Sequence, residues 1–171
     1  MVIIESERLC LRQFTAADAD FIIVLLNSPG WLKYIGDRNI STRQDALAYL
    51  DKGPLTSYKK NELGLCLVQL KSTGEPLGMC GLLQRDYLDG PDIGFAFLPQ
   101  SQGYGYAYEI ATKVLAYGFT TLRHNKLFAI TLPANRRSIN LIEKLGMHFE
   151  SRHAGKVPGE ELSIYARSAQ G

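Results

Sequence analysis

No run of about 18 apolar residues occurs in this 171-residue sequence, so no segment reads as a membrane-spanning helix. Blocks of like charge are also missing. The 19 basic and 17 acidic residues are dispersed, which argues against a nucleic-acid arm or a polybasic membrane patch and leaves small or weakly charged partners. The opening, Met1 to Arg8, has neither the basic start nor the long apolar stretch of a signal peptide, and a soluble cytoplasmic protein is expected. Cysteine is scarce: Cys10, Cys66 and Cys80 are odd in number, far apart, and each lies among apolar neighbours. That suggests neither a disulfide framework nor a zinc site and leaves three reduced structural thiols. His124, His148 and His153 have no metal-ligand spacing, so no metal is expected.

What is present is a chain with 46% hydrophobic residues, enough for one compact domain over residues 1–171. Arg8 to Gln13 alternates in part as a first strand. Thr15 with Asp18 predicts a capped helix carrying Ala17, Phe21, Val24 and Leu25 and stopping at Asn27 to Gly30. Trp31 to Asn39 reads as an aromatic-rich loop. Ser41 to Gln44 has the spacing of a capping box for a second helix, with Ala46, Leu47 and Leu50 inward and Gly53-Pro54 ending it. Leu63 to Leu70 and Pro76 to Arg85 form a hairpin around Lys71 to Glu75, and Asp92 to Leu98 is a fourth strand. Ala107, Ile110, Ala111, Val114 and Tyr117 then recur at helical spacing. Leu127 to Leu132 is a buried strand. Pro133 to Asn135 opens a last helix bearing Ile139, Ile142 and Leu145 and capped by Gly146, and two closing strands follow at His148 to His153 and Leu162 to Arg167.

Between the fourth strand and its helix lies Gln100-Ser-Gln-Gly-Tyr-Gly105. N–H groups at a helix start have no intrahelical partner, and glycines at 103 and 105 remove the Cβ atoms that would hold an anion away from them. The loop therefore reads as a phosphate cradle or as a plain tight turn. A dinucleotide fingerprint would require a third glycine where Tyr108 stands, and no G-K-[ST] follows, so neither a Rossmann enzyme nor a P-loop NTPase fits.

The order of elements and this loop resemble the GNAT superfamily of acetyltransferases. Gln100 to Gly105 matches its [QR]-x-x-G-x-[GA] motif, and Gly103-Tyr-Gly-Tyr-Ala-Tyr-Glu109 is similar to the version in the ribosomal-protein alanine acetyltransferase branch. Ser6-Glu-Arg-Leu-Cys-Leu-Arg12, Asn135-Arg-Arg-Ser138 and Glu143-Lys-Leu-Gly-Met147 resemble further segments of that branch. The resemblance implies a mixed α/β (α+β) domain. Its central sheet would be largely antiparallel, of about seven strands, splayed between the fourth and fifth, and flanked by about four helices. It also implies acetyl-CoA as co-substrate. Phe97 and Leu98 would offer main-chain groups to the pantetheine arm, Gln102, Gly103, Gly105, Tyr106 and Ala107 would surround the pyrophosphate, and Asn135 and Ser138 would lie near the reactive end. Asn135 is equally a good helix cap.

Acetyl transfer to an amine needs a neutral amine, whereas lysine ammonium titrates near ~10.4 and an α-amino group near ~8, so a base is required. Asp92, Glu62 and Asp37 are the carboxylate candidates, with Asp92 placed first. Many members of the superfamily carry a tyrosine general acid where this chain has Ile142. Ser138 is the neighbouring hydroxyl, as acid, as thiol contact, or as a plain surface serine. Cys80 has no nearby His and sits in an apolar run, which favours direct transfer over a covalent enzyme intermediate. Trp31 to Asp37 suits an acceptor wall or lid, or a simple aromatic plug. The expected activity is transfer of acetyl from acetyl-CoA to a primary amine, by a monomer or homodimer with no nucleic-acid or membrane partner. A non-catalytic acyl-CoA binding module is the alternative. Another acyl donor is kept open by Arg85, Arg136 and Arg137.

Overall fold

The computed structural model describes residues 1–60 and 64–170. Among these residues eight strands make one sheet: β1 Val2–Glu5, β2 Leu9–Arg12, β3 Leu65–Leu70, β4 Pro76–Leu83, β5 Asp92–Phe97, β6 Lys126–Thr131, β7 His148–Ala154 and β8 Glu161–Ser168. Their order is β1-β2-β3-β4-β5-β6-β8-β7. Every neighbouring pair is antiparallel except β5 with β6. The eighth strand is β1, which the sequence reading left out. The polar run after it turns back at Ser6, whose N–H donates to the Leu9 carbonyl at 2.9 Å, so that β1 lies against β2 as an edge hairpin.

Among the described residues, helices of eight or more residues are four, as expected: α1 Ala19–Leu26, α3 Arg43–Leu50, α5 Tyr106–Thr120 and α6 Arg136–Lys144. Two short helices join them, α2 Pro29–Tyr34 and α4 Thr56–Lys60. Helix α2 corrects the expected loop: Pro29 does not only stop α1 but occupies the first turn of a new helix, where a missing N–H costs nothing. The buried face of α1 is also shifted. Ala19, Ile22, Leu25 and Leu26 turn inward, whereas Ala17 and Val24 are exposed, because Ala16–Asp18 form a separate 3-10 turn that rotates the helix start. In α3 the cap is Thr42 rather than Ser41, with Asp45 closing the capping box. Gly53-Pro54 does not end this region. The chain widens into a π-type turn over Asp51–Leu55, which tolerates a proline that an α-turn would not, and then continues as α4. The expected start of β3 at Leu63 lies outside the described residues.

The sheet has a core on each face. On one, α1, α2 and α3 bring Ile22, Leu25, Trp31 and Leu50 onto Leu67, Met79 and Leu98. On the other, Ile110 and Val114 of α5 and Ile139 and Ile142 of α6 pack on Cys66, Val68, Ile93, Leu127 and Ala129. Full burial of each such aliphatic side chain is worth about 1.5–3 kcal/mol, so the two layers fix the position of both sheet halves.

Candidate active site

The sheet is continuous except in its middle. Strands β5 and β6 have six residues each, yet they pair only at Asp92 and Phe128, where the Phe128 N–H donates to the Pro91 carbonyl at 3.0 Å. Beyond that rung the two diverge, which is the splay expected between the fourth and fifth strands of the sequence reading. Backbone groups alternate sides along a strand. Since the Leu98 N–H donates to the Leu77 carbonyl of β4 at 2.9 Å and the Pro91 carbonyl points to β6, the N–H and C=O groups of Phe95 and Phe97 face the gap. This corrects one expectation. Leu98 offers no main-chain contact there, because its N–H is held by Leu77 and its carbonyl accepts from the Ser101 N–H at 2.9 Å. Phe95 takes its place beside Phe97, and the alternation of Phe95 with Phe97 was the signal in the sequence.

The gap opens toward the loop from Gln100 to Gly105. Both expected glycines have left-handed backbone, Gly103 at φ 89° and Gly105 at φ 80°, a region that carries about 1–2 kcal/mol of strain for other residues. A Cβ at Gly103 would meet nothing within 4 Å, and one at Gly105 only the Arg8 Nη2 at 3.7 Å, so the space above the loop is open. Gly105 is the N-cap of α5, and the first intrahelical bond runs from the Glu109 N–H to the Gly105 carbonyl at 3.0 Å. The N–H groups of Tyr106 and Ala107 precede that bond and are therefore without helical acceptors. These residues fit an anionic, extended ligand whose phosphates rest on a 15-residue helix and whose arm follows β5.

Two guanidinium groups flank the loop, and sequence reasoning gave neither a role in the cradle. Arg8 donates from Nε to Glu109 at 2.7 Å and from Nη2 to the Tyr104 carbonyl at 3.0 Å, and it lies 4.6 Å from the centre of the Tyr106 ring. Glu109 also accepts from the Ser6 hydroxyl at 2.6 Å and the Arg8 N–H at 2.8 Å. Burial pushes the Glu109 carboxyl up, but these bonds together hold it below its usual range. On the other side Arg137 of α6 donates to the Gln102 side chain, whose Nε2 donates to the Phe97 carbonyl at 3.3 Å.

Comparison with known proteins agrees with this geometry. Residues 8–148 match the family model described as Acetyltransferase (GNAT) domain. The chain belongs to the GNAT acetyltransferase family. It is 28% identical over 166 residues to the N-acetyltransferase p20 of Bacillus licheniformis, covering 94% of this chain and 91% of that protein. It is 37% identical over 97 residues to YkkB of Bacillus subtilis, a match that covers 53% of this chain and 56% of YkkB, about half its length. A solved GNAT-family acetyltransferase from Bacillus anthracis superposes with a TM-score of 0.82 at 25% identity over the whole of both chains.

Within this GNAT fold, the other candidates fall into distinct places. Asn135 caps α6, its side-chain oxygen accepting from the Ser138 N–H at 3.2 Å. The Ser138 hydroxyl is half-buried and has no hydrogen-bond partner among the described residues. Ile142, where the family resemblance led to the expectation of a tyrosine, is a core residue under the sheet, so that position directs no phenol at the gap.

Asp92 sits at the closed end of the splay, on the same face of β5 as Ala96 and Leu98 and opposite α5. It is 2% exposed and accepts from the Arg85 Nε at 3.1 Å. Burial raises its carboxyl above the usual range, and Arg85 offsets this only in part. Asp37 is exposed and accepts from the Asn39 N–H at 2.8 Å, which makes it a turn-former. Glu62 lies outside the described residues. Arg85 and Arg137 are already engaged, with Asp92 and Gln102 respectively.

Cys80 is fully buried and its thiol is pushed up by burial, while Cys66 is raised to about 11 by the same cause, so neither offers a thiolate. Trp31 is 6% exposed and packs with Leu25 and Leu26, which makes it a plug; Leu32, Lys33, Ile35 and Asp37 of that segment are exposed.

Proposed function

We propose that this chain moves an acetyl group from acetyl-CoA to a primary amine of a small molecule, a peptide or a protein N-terminus, by direct attack with both substrates bound. One observation carries the reading: a gap with free main-chain groups on β5 runs into a glycine loop at the start of α5. Acetyl-CoA supplies an activated acyl group. The loop N–H groups from Gly103 to Ala107 hold the pyrophosphate, and Phe95 and Phe97 hold the arm as a neighbouring strand would. An N–H on this edge also stabilises negative charge that develops on the acyl oxygen.

Asp92 accepts the amine proton, directly or through water, its raised affinity for protons suiting it to that task. Ser138 lies one turn into α6, and its hydroxyl relays a proton to the departing sulfur as it takes one up from water, while the proton on Asp92 is released to solvent. The non-catalytic alternative draws support from Ile142 and from the Arg85–Asp92 pair, both of which are complete without any reaction.

Thiol release from acetyl-CoA, measured across a panel of small amines, polyamines and N-terminal peptides, tests the proposal. Amine-dependent release is expected. Calorimetric binding of CoA with no release for any amine would favour the binding module, and absence of CoA binding would remove both.

A further inference from the structure

Gln102 bridges the two sides of the gap at its wide end. Its carboxamide nitrogen donates to the Phe97 carbonyl of β5 at 3.3 Å, and its carboxamide oxygen accepts from Arg137, the second residue of α6. The loop residue itself needs neither bond to hold its place, because its own N–H already donates to the Pro99 carbonyl at 3.2 Å. The Phe97 carbonyl points into the gap by strand alternation, and it is the gap-facing acceptor nearest the cradle. An extended ligand with amide groups must reach this same carbonyl if it is to lie along β5 as a strand does.

We infer that the Gln102 carboxamide is a placeholder for the amide of the pantetheine arm, and that cofactor binding displaces it from Phe97 and releases Arg137. This rests on the reading of the gap as an acyl-CoA site. The chemistry of the two groups matches: each is a neutral amide presenting an N–H to one main-chain oxygen. Displacement exchanges one amide bond for another at Phe97, so that contact adds little net affinity. The guanidinium set free then stands beside the cradle, where phosphate is a better partner than a neutral carboxamide. Gln102 therefore opposes binding, whereas a residue that contacts the ligand would assist it.

The sign of one measurement separates these roles. Titration calorimetry and stopped-flow binding with CoA are made on the wild type, Gln102→Ala and Gln102→Asn, with circular dichroism confirming that each is folded. Asn keeps the carboxamide but is one methylene short of the bridge. A neutral hydrogen bond is worth about a factor of 5 in an equilibrium, so both variants are expected to bind CoA about 5-fold more tightly, through a faster association rate. Binding by a variant but not by the wild type would mark a stronger bridge and supports the inference as well. Unchanged or weaker binding in folded variants overturns it while leaving the acyl-CoA site standing. Failure of all three proteins to bind CoA overturns the inference together with the reading beneath it.

Discussion

Arg8 and Glu109, 101 residues apart in the chain, are joined through both the backbone N–H and the Nε of the arginine, each to a different oxygen of the carboxylate. The pair ties the turn after β1 to the first helical turn behind the cradle. Arg8 also reaches the Tyr104 carbonyl inside the loop. Arg8→Ala is expected to weaken CoA binding about 10-fold by loosening the loop and removing a cation beside it, with a loss of less than about 1 kcal/mol in stability because the pair is partly exposed. Calorimetry and thermal denaturation of the same variant separate the two effects. Glu109 is held below 4.5 in the folded chain, so its contribution is complete above that value and is lost as the pH falls through the lowered one.

Gly105→Glu is expected to abolish measurable CoA binding in a chain that still folds. The left-handed backbone adds about 1–2 kcal/mol of strain, and a carboxylate at the helix start opposes a pyrophosphate. A calorimetric titration giving the wild-type affinity would exclude the loop as the phosphate site.

The buried Arg85–Asp92 pair yields a pH prediction. Because the folded carboxyl is raised above 3.8, the folded chain binds more protons than the unfolded one between 3.8 and the raised value. Stability therefore falls as the pH climbs through that window and levels above it. Arg85→Ala removes the offsetting charge, extends the window upward and is expected to cost about 2 kcal/mol at neutral pH, discounted for the partial exposure of the arginine. Asp92→Asn should remove the slope. Melting temperatures from pH 4 to 8, at steps of about 1 unit, check all three.

Asn135→Ala and Ser138→Ala divide structure from chemistry at α6. The first deletes a cap and is expected to cost about 1 kcal/mol of stability. The second leaves the cap bond intact, since only the Ser138 backbone N–H takes part in it. If the hydroxyl is the acid, kcat falls at least 10-fold with CoA affinity retained. An unchanged kcat returns Ser138 to the helix surface.

Much of this was legible in the sequence. Period 2 and period 3.6 patterns located β2 to β8 and the four longer helices, and the glycines at 103 and 105 marked the turn that starts α5. Failures came where one residue type allows two outcomes. Pro29 reads as a stop but equally starts a helix, and Gly53-Pro54 reads as an end unless the turn can widen. Leu98 was expected in the site from the family resemblance, which does not carry the ladder to β4 that decides where a peptide group points. Contacts between distant segments, such as Ser6 and Arg8 with Glu109, leave no local period, although each lies in a segment resembling the family.

The single rung between Asp92 and Phe128 has a consequence for the unliganded molecule. Sheets blunt their outer margins to prevent unwanted pairing, whereas here a bare edge lies in the interior, with Gln102 bonded to the Phe97 carbonyl on it. Any extended backbone thin enough to enter would find the same row of peptide groups. The sheet thus carries, between two of its own strands, a row of peptide groups that neither neighbour uses.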